Sequence, residues 1–334
     1  MEFIPAATLW ALTILRLPAA LDPNRGSVFR ATILAAVACT LYIPVFYYGV
    51  DPVLGGQNRV GLIILLFLLL GFWQFRTAIL LAAVADIEVR RRNLTFGRWA
   101  AGCACATVTA GFLTSRVEVA DPNLPLTYGD QPGMAVFLWS GSAFIMWICL
   151  DIARVCHSNV PRMQTPAFRS AFILIALGCI LFALVLLNRL LYGAVIKADG
   201  PASAVAAALN ILYWAGETVA VLLVSLGLLL PRLTGHLQRA AFGIRARLLL
   251  LEIGPIWNRV ASSQHHLILR NRRTSSLTFF SRHAATQLHR RLVEIRDCEM
   301  ASPEAAGHLD AHERSVVERA ELALETRSGG QRTR

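Results

Sequence analysis

The chain has 334 residues, 55% of them hydrophobic and 16% charged, with a mean hydropathy of +0.53. That balance lies well to the apolar side of a soluble domain. The formal charge of +11, from 32 basic and 21 acidic residues, would suggest nucleic acid in a soluble protein. Here the arginines cluster between apolar runs, so the expected partner is a lipid bilayer and no nucleic acid.

In chain order, apolar runs of membrane-crossing length fall at Phe3–Ala19, Ala31–Val50, Val60–Ala85, Gly97–Ser115, Met134–Val155, Ser170–Leu191 and Ala204–Leu230. Backbone amides find no water in a hydrocarbon core, so each run is expected to cross as a helix, giving an all-α polytopic bundle. The first run is interrupted by Arg16 and Pro18. An interfacial first segment, leaving six spans and Met1 in the cytoplasm, is the alternative there. Glu2 stands where a secretory signal would be basic and no small-residue cleavage site follows, so a retained helix is expected, with Arg16 reaching toward headgroups.

Arg25 and Arg30, then Arg90, Arg91, Arg92 and Arg98, then Arg154, Arg162 and Arg169, then Arg232, Arg239, Arg245 and Arg247 occupy alternate connections. The other connections are short or acidic, with Glu118, Asp121 and Asp130 in the longest. The positive-inside rule then predicts seven spans in the cell membrane, with the N-terminus outside and the C-terminus cytoplasmic.

Polar groups inside such spans are the functional candidates, because an unpaired charge there is costly. Arg76, beside Gln74, lies on the third run. On the seventh, Asn210, Tyr213, Trp214 and Glu217 share one face at i, i+3, i+4 and i+7. Two readings follow: a polar cavity between the third and seventh helices that holds a small-molecule ligand or relays a proton, or a structural Arg76–Glu217 ion pair. Arg189 reads as a snorkelling residue at an outer helix end, and Asp86, Glu88 and Asp151 as solvated partners of cytoplasmic arginines. The seven cysteines suggest small packing residues: Cys103 and Cys105 point away from each other on a helix, so no metal is expected there.

Three domains are expected: a membrane bundle over 1–231, a helical cytoplasmic domain over 232–327, and a disordered tail over 328–334. Pro231 onward reads as a basic amphipathic helix along the inner leaflet, ending at Gly254-Pro255. A connecting stretch with a short extended piece follows, including His265-His266, which reads as a loop pair rather than a metal site. Helical spacing returns from His283 to Met300 through Leu288, Leu292 and Ile295. After the breaks at Ser302-Pro303 and Gly307, a last helix is expected from Ala311 to Thr326.

This tail holds Gly254-Pro255-Ile256-Trp257, His266-Leu267-Ile268-Leu269 and Arg290-Arg291-Leu292-Val293-Glu294-Ile295-Arg296-Asp297. With the loop Gly56-Gln57-Asn58, it resembles an uncharacterised actinobacterial family of seven-helix membrane proteins labelled as transporters. Pro255 and Trp257 match a Pro-Leu-Trp pattern in which Ile256 replaces leucine; Arg290, Arg291, Glu294, Ile295, Arg296 and Asp297 match a second. The resemblance implies seven helices before a cytoplasmic domain, and a transporter label without a substrate.

Read physically, Arg290, Glu294 and Asp297 fall at i, i+4 and i+7, and Arg291 and Glu294 are i, i+3 partners, a lattice that rigidifies a helix. Partly exposed, it puts the cost of Glu294→Gln at about 1 kcal/mol. The chain contains no Walker A, HExxH, GxSxG or DDxxD pattern, so neither enzyme chemistry nor a cofactor is expected. Transporter and ligand sensor with a cytoplasmic protein partner are the two function classes left.

Overall fold

The computed structural model describes residues 3–20, 26–163, 165–200, 203–263, 284–301 and 309–332. Among them the protein is all-α. The helices are α1 (Phe3–Arg16), α2 (Gly26–Leu41), α3 (Pro44–Val50), α4 (Arg59–Ala83), α5 (Ile87–Leu113) and α6 (Leu124–Tyr128). They continue with α7 (Pro132–Asn159), α8 (Pro166–Asp199), α9 (Ala204–Ser263), α10 (Ala284–Ala301) and α11 (Ala311–Arg332). Two compact units result, Met1–Arg232 and Leu233–Arg334.

Four helices are long and apolar enough to cross a bilayer, the ones built on α4, α7, α8 and α9, or five if α2 and α3 count as one broken span. The expected second span is bent by 86° between those two helices. Pro44 is the cause: the residue before a proline is excluded from the helical region, and Ile43 is extended at φ −68° and ψ 128°. α1 has 14 residues, about 21 Å of helix against a core of about 30 Å. α5 is long enough but starts ten residues before the expected Gly97, because Asp86 caps it by accepting from the Glu88 and Val89 amides. Arg90, Arg91 and Arg92 are therefore on the helix, and its first turns are polar.

In the first unit α2 packs on α1 and α4, α7 packs on α4, α5 and α8, and α4 meets α5. The largest apolar core lies along these contacts, with Leu69, Met134, Ile148 and Cys149 fully enclosed. α9 approaches α8 closely at Gly178, where a Cβ would lie 2.7 Å from Val224 Cγ2 and 3.0 Å from the Ala220 carbonyl. The entry to α4 is a polar knot. Asp51 is buried and accepts from the Asn58 and Val60 amides at 3.1 Å each, and Tyr47 donates to Asn58. Gln57 and Asn58 take φ of 61° and 59°, the left-handed values a short amide side chain tolerates.

Arg16 does not reach outward as expected. Its Nη2 donates to the Leu228 carbonyl of α9 at 2.7 Å. Nor does a helix end at Gly254-Pro255: α9 is continuous for 60 residues, through Pro231 and Pro255. Pro255 deprives one carbonyl of its partner, but it sits on an exposed face. Leu249, Leu250, Ile253 and Ile256 keep their buried stripe across it, and their packing offsets the lost bond.

In the second unit that stripe packs with Leu288, Leu292 and Ile295 of α10 and with Val316, Val317 and Ala320 of α11. α11 continues to Arg332, past the expected end at Thr326 and into the stretch expected to be disordered, so the helical ladder carries through Gly329 and Gly330. The extended piece, His265-His266, the His266–Leu269 motif and the breaks at Ser302-Pro303 and Gly307 lie outside the described residues.

Candidate functional site

The polar face of α9 gathers partners from α8 and from the turn after α2, and through Arg189 reaches Asn123. Trp214 packs on Tyr42 with ring centroids 5.7 Å apart, and Tyr213 lies edge-on to Trp214 at 5.5 Å. Arg189 of α8 covers the rings of Tyr213 and Tyr192 at 4.8 and 4.9 Å and donates to Asn123 Oδ1 at 2.8 Å. The expected snorkelling does not describe it: the guanidinium is shared between two aromatic faces and an amide. Tyr213 lies beside the Glu217 carboxylate, one turn on along the same helix. The carboxylate oxygen Oε2 is enclosed and has no hydrogen-bond partner among the described residues. Asn210 shares the helix face but is joined to this cluster by no hydrogen bond among the described residues.

Arg76 belongs elsewhere. Its Nε donates to Asp151 Oδ2 of α7 at 2.7 Å, its Nη1 to the Asn93 carbonyl of α5 at 3.0 Å, and its guanidinium stacks 4.9 Å from Trp147. Gly97 makes room for it, since a Cβ there would lie 2.5 Å from Nη1. The Arg76–Glu217 pair considered from sequence is therefore replaced by Arg76–Asp151, and Asp151 is an internal partner instead of a solvated one. Three helices meet at this one guanidinium. Sequence spacing gives no sign of that, because it orders residues along a helix and says nothing of which helix faces it.

Glu217 lines a cavity of about 100 Å³ bordered by α1, α2, α4, α7, α8 and α9. Its walls are apolar (Leu12, Phe72, Cys179 and Val224 among them) instead of the polar cavity anticipated, and Arg76 is not on them. Ser225, two turns beyond Glu217, also lines it, with a buried hydroxyl that has no partner among the described residues. No cluster of three His, Cys, Asp or Glu side chains suited to a metal occurs among the described residues. Cys103 is exposed and Cys105 half-buried.

The second unit brings most of its sequence motif to one place. Glu294 is 7% exposed and accepts from Trp257 Nε1 at 2.6 Å and from Arg290 Nε at 2.8 Å. Arg291 lies 5.1 Å over the Trp257 ring and donates to the Leu250 carbonyl at 3.3 Å, so it acts on its i, i+3 partner Glu294 through space and not by a direct hydrogen bond among the described residues. Burial lowers its pKa from the ordinary arginine value. Arg296 turns away, pairing with both oxygens of Glu321 at 2.7 and 2.9 Å and with Glu299 at 2.9 Å. Pro255 and Asp297 are exposed. The arrangement is a docking lattice between α9, α10 and α11.

One consequence is measurable. Hydrogen bonding to Arg296 holds the Glu321 carboxyl below its ordinary value. Such a group adds stability above the unfolded value and loses it as pH falls through the folded one. Both partners are half-exposed, so Arg296→Ala should cost under about 1 kcal/mol near neutrality. The difference from the parent should vanish in acid, read from urea midpoints of hydrogen exchange in α10. An undiminished difference at acid pH would mean that Arg296 acts by packing.

No family model matches this chain, nor does any curated protein or solved structure.

Proposed function

We propose that the chain is a cell-membrane ligand sensor that crosses seven times, with its N-terminus outside and its second unit in the cytoplasm, where it meets a protein partner. The arginine asymmetry supports the orientation, with α1, the broken pair α2–α3 and α5 completing the spans. The observation that carries the sensing reading is the course of α9. One unbroken helix lines the cavity of the first unit with Glu217 and builds the core of the second with Leu250, Ile253 and Trp257. A ligand that favours one state of that helix has a direct route to the docking lattice.

The transporter reading rests on the family resemblance. A path past Arg76 finds less support, because that guanidinium is taken up by Asp151, Asn93 and Trp147.

Reporter fusions after Asp130 and after Arg232 should report opposite sides of the membrane; the same side for both would sink the topology. For sensing, Val221→Phe should fill the cavity in place of a ligand. Hydrogen exchange across α10 in the full chain should then differ from the parent. Unchanged exchange in a folded, inserted variant would remove the sensing reading, and solute uptake by reconstituted vesicles would favour transport.

A further inference from the structure

On the reading that this cavity holds a ligand, its shape and its one carboxylate say what kind. Along α9 the lining residues are Glu217, Ala220, Val221, Val224, Ser225 and Leu228. They fall at i, i+3, i+4, i+7, i+8 and i+11, a single stripe about 16 Å long. A volume of about 100 Å³ spread over that length is a narrow slot. It suits an unbranched chain better than a ring system. The walls facing the stripe are apolar, from Leu9 and Leu12 of α1 to Phe182 of α8, so the body of the occupant is hydrocarbon.

Two lining groups lack a partner among the described residues, the Ser225 hydroxyl and, toward one end, Glu217, which alone can carry charge. Glu217 Oε2 is enclosed without a hydrogen-bond partner, and among the described residues no ion pair reaches its carboxylate. Arg189 donates to Asn123 and covers the two tyrosine rings, so it acts on Glu217 only through space, while Tyr213 lies beside the carboxylate and Cys39 is the other titratable wall group nearby. A buried carboxylate calls for a donor, and best for a cationic one.

We propose that the cavity is a binding site for a linear alkyl amine, its protonated amino group donating to Glu217 and its chain lying along α9 toward Ser225. The amine closes the open acceptor and neutralises the carboxylate, while the methylenes leave water for the slot. A fatty acid would bring a second carboxylate to the first. An alcohol of equal length would supply one donor and no charge.

The full chain in neutral-lipid nanodiscs tests this with radiolabelled decylamine, counted against empty nanodiscs. Saturable binding at one site per chain is expected, weakened roughly ten- to a hundredfold by Glu217→Gln, as for loss of a hydrogen bond to a charged group. Val221→Phe should abolish it, while Ser225→Ala should leave it nearly unchanged. Decanol should compete weakly and decanoate not at all. Equal affinity in Glu217→Gln, equal competition by decanol, or no binding above empty nanodiscs would each overturn the proposal. Hydrogen exchange in α10 separates this result from the sensing reading. Decylamine bound as expected with unchanged exchange leaves the site and removes sensing. Exchange altered by Val221→Phe without decylamine binding leaves sensing and removes the amine.

Discussion

Arg76→Leu should destabilise the membrane unit by about 3 kcal/mol, and Asp151→Leu by somewhat less, while the double change should cost clearly less than the sum. The guanidinium is 5% exposed in its side chain and the carboxylate 23%. Removing either partner strands the other away from water, and that stranded charge is most of the penalty. The figure is set at the low end for broken buried pairs because Asp151 retains some access. Arg76 also donates to Asn93 and stacks on Trp147, so its loss should exceed that of Asp151 by the value of those contacts. Reversible unfolding in mixed micelles, run as a double-mutant cycle, gives all three numbers. A parallel cycle with Glu217→Leu should be additive with Arg76→Leu. Coupling there and none with Asp151 would reverse the pairing.

That cycle bears on what a linear sequence can reveal. Hydropathy located the four helices long and apolar enough to cross a bilayer, because such a helix must be apolar along its length, and this is a property of composition. It did not locate Arg76's partner, since Asp151 and Glu217 both lie on apolar helices and only packing decides which one faces α4. Asp86 was legible as a charge near a helix end, but its role as the cap that draws three arginines into α5 needed the Glu88 and Val89 amides in place. Pro44 acted as its chemistry dictates and broke the second span. Pro231 and Pro255 did not break α9, because the residues around Pro255 stay on one buried stripe. A proline's local cost is fixed, but the packing it competes with is not visible locally. Of the site, the α9 face was legible as a period of polar tips. Arg189 and Ser225 were not among the site candidates: one read as a snorkelling end-of-helix cation, the other as one small residue among many. A clue was available for Arg189, since an arginine three residues from Tyr192 on one helix has an aromatic face within reach.

In the second unit the largest expected loss belongs to Trp257. Trp257→Ala should cost about 3 kcal/mol, at the low end for aromatic truncation because the ring is only half-buried. The ring packs against the core, carries Arg291 on its face and donates its N–H to Glu294. Trp257→Phe keeps the first two contacts and strands one carboxylate oxygen, so about 1 to 2 kcal/mol is expected. Glu294→Gln should cost about 2 kcal/mol, more than the 1 kcal/mol appropriate to a partly exposed pair. Glu294 is enclosed, and an amide can accept from only one of Trp257 and Arg290 while it turns an N–H toward the other. Because the two residues share one hydrogen bond, Trp257→Phe with Glu294→Gln should cost less than the sum. Cys298 is 4% exposed beside this lattice, so its urea-dependent labelling, quantified at the peptide level, reads opening of this unit within the full chain. Labelling in Glu294→Gln that matched the parent would deny the carboxylate a structural role. Its two donors would then be holding it ready for something that binds.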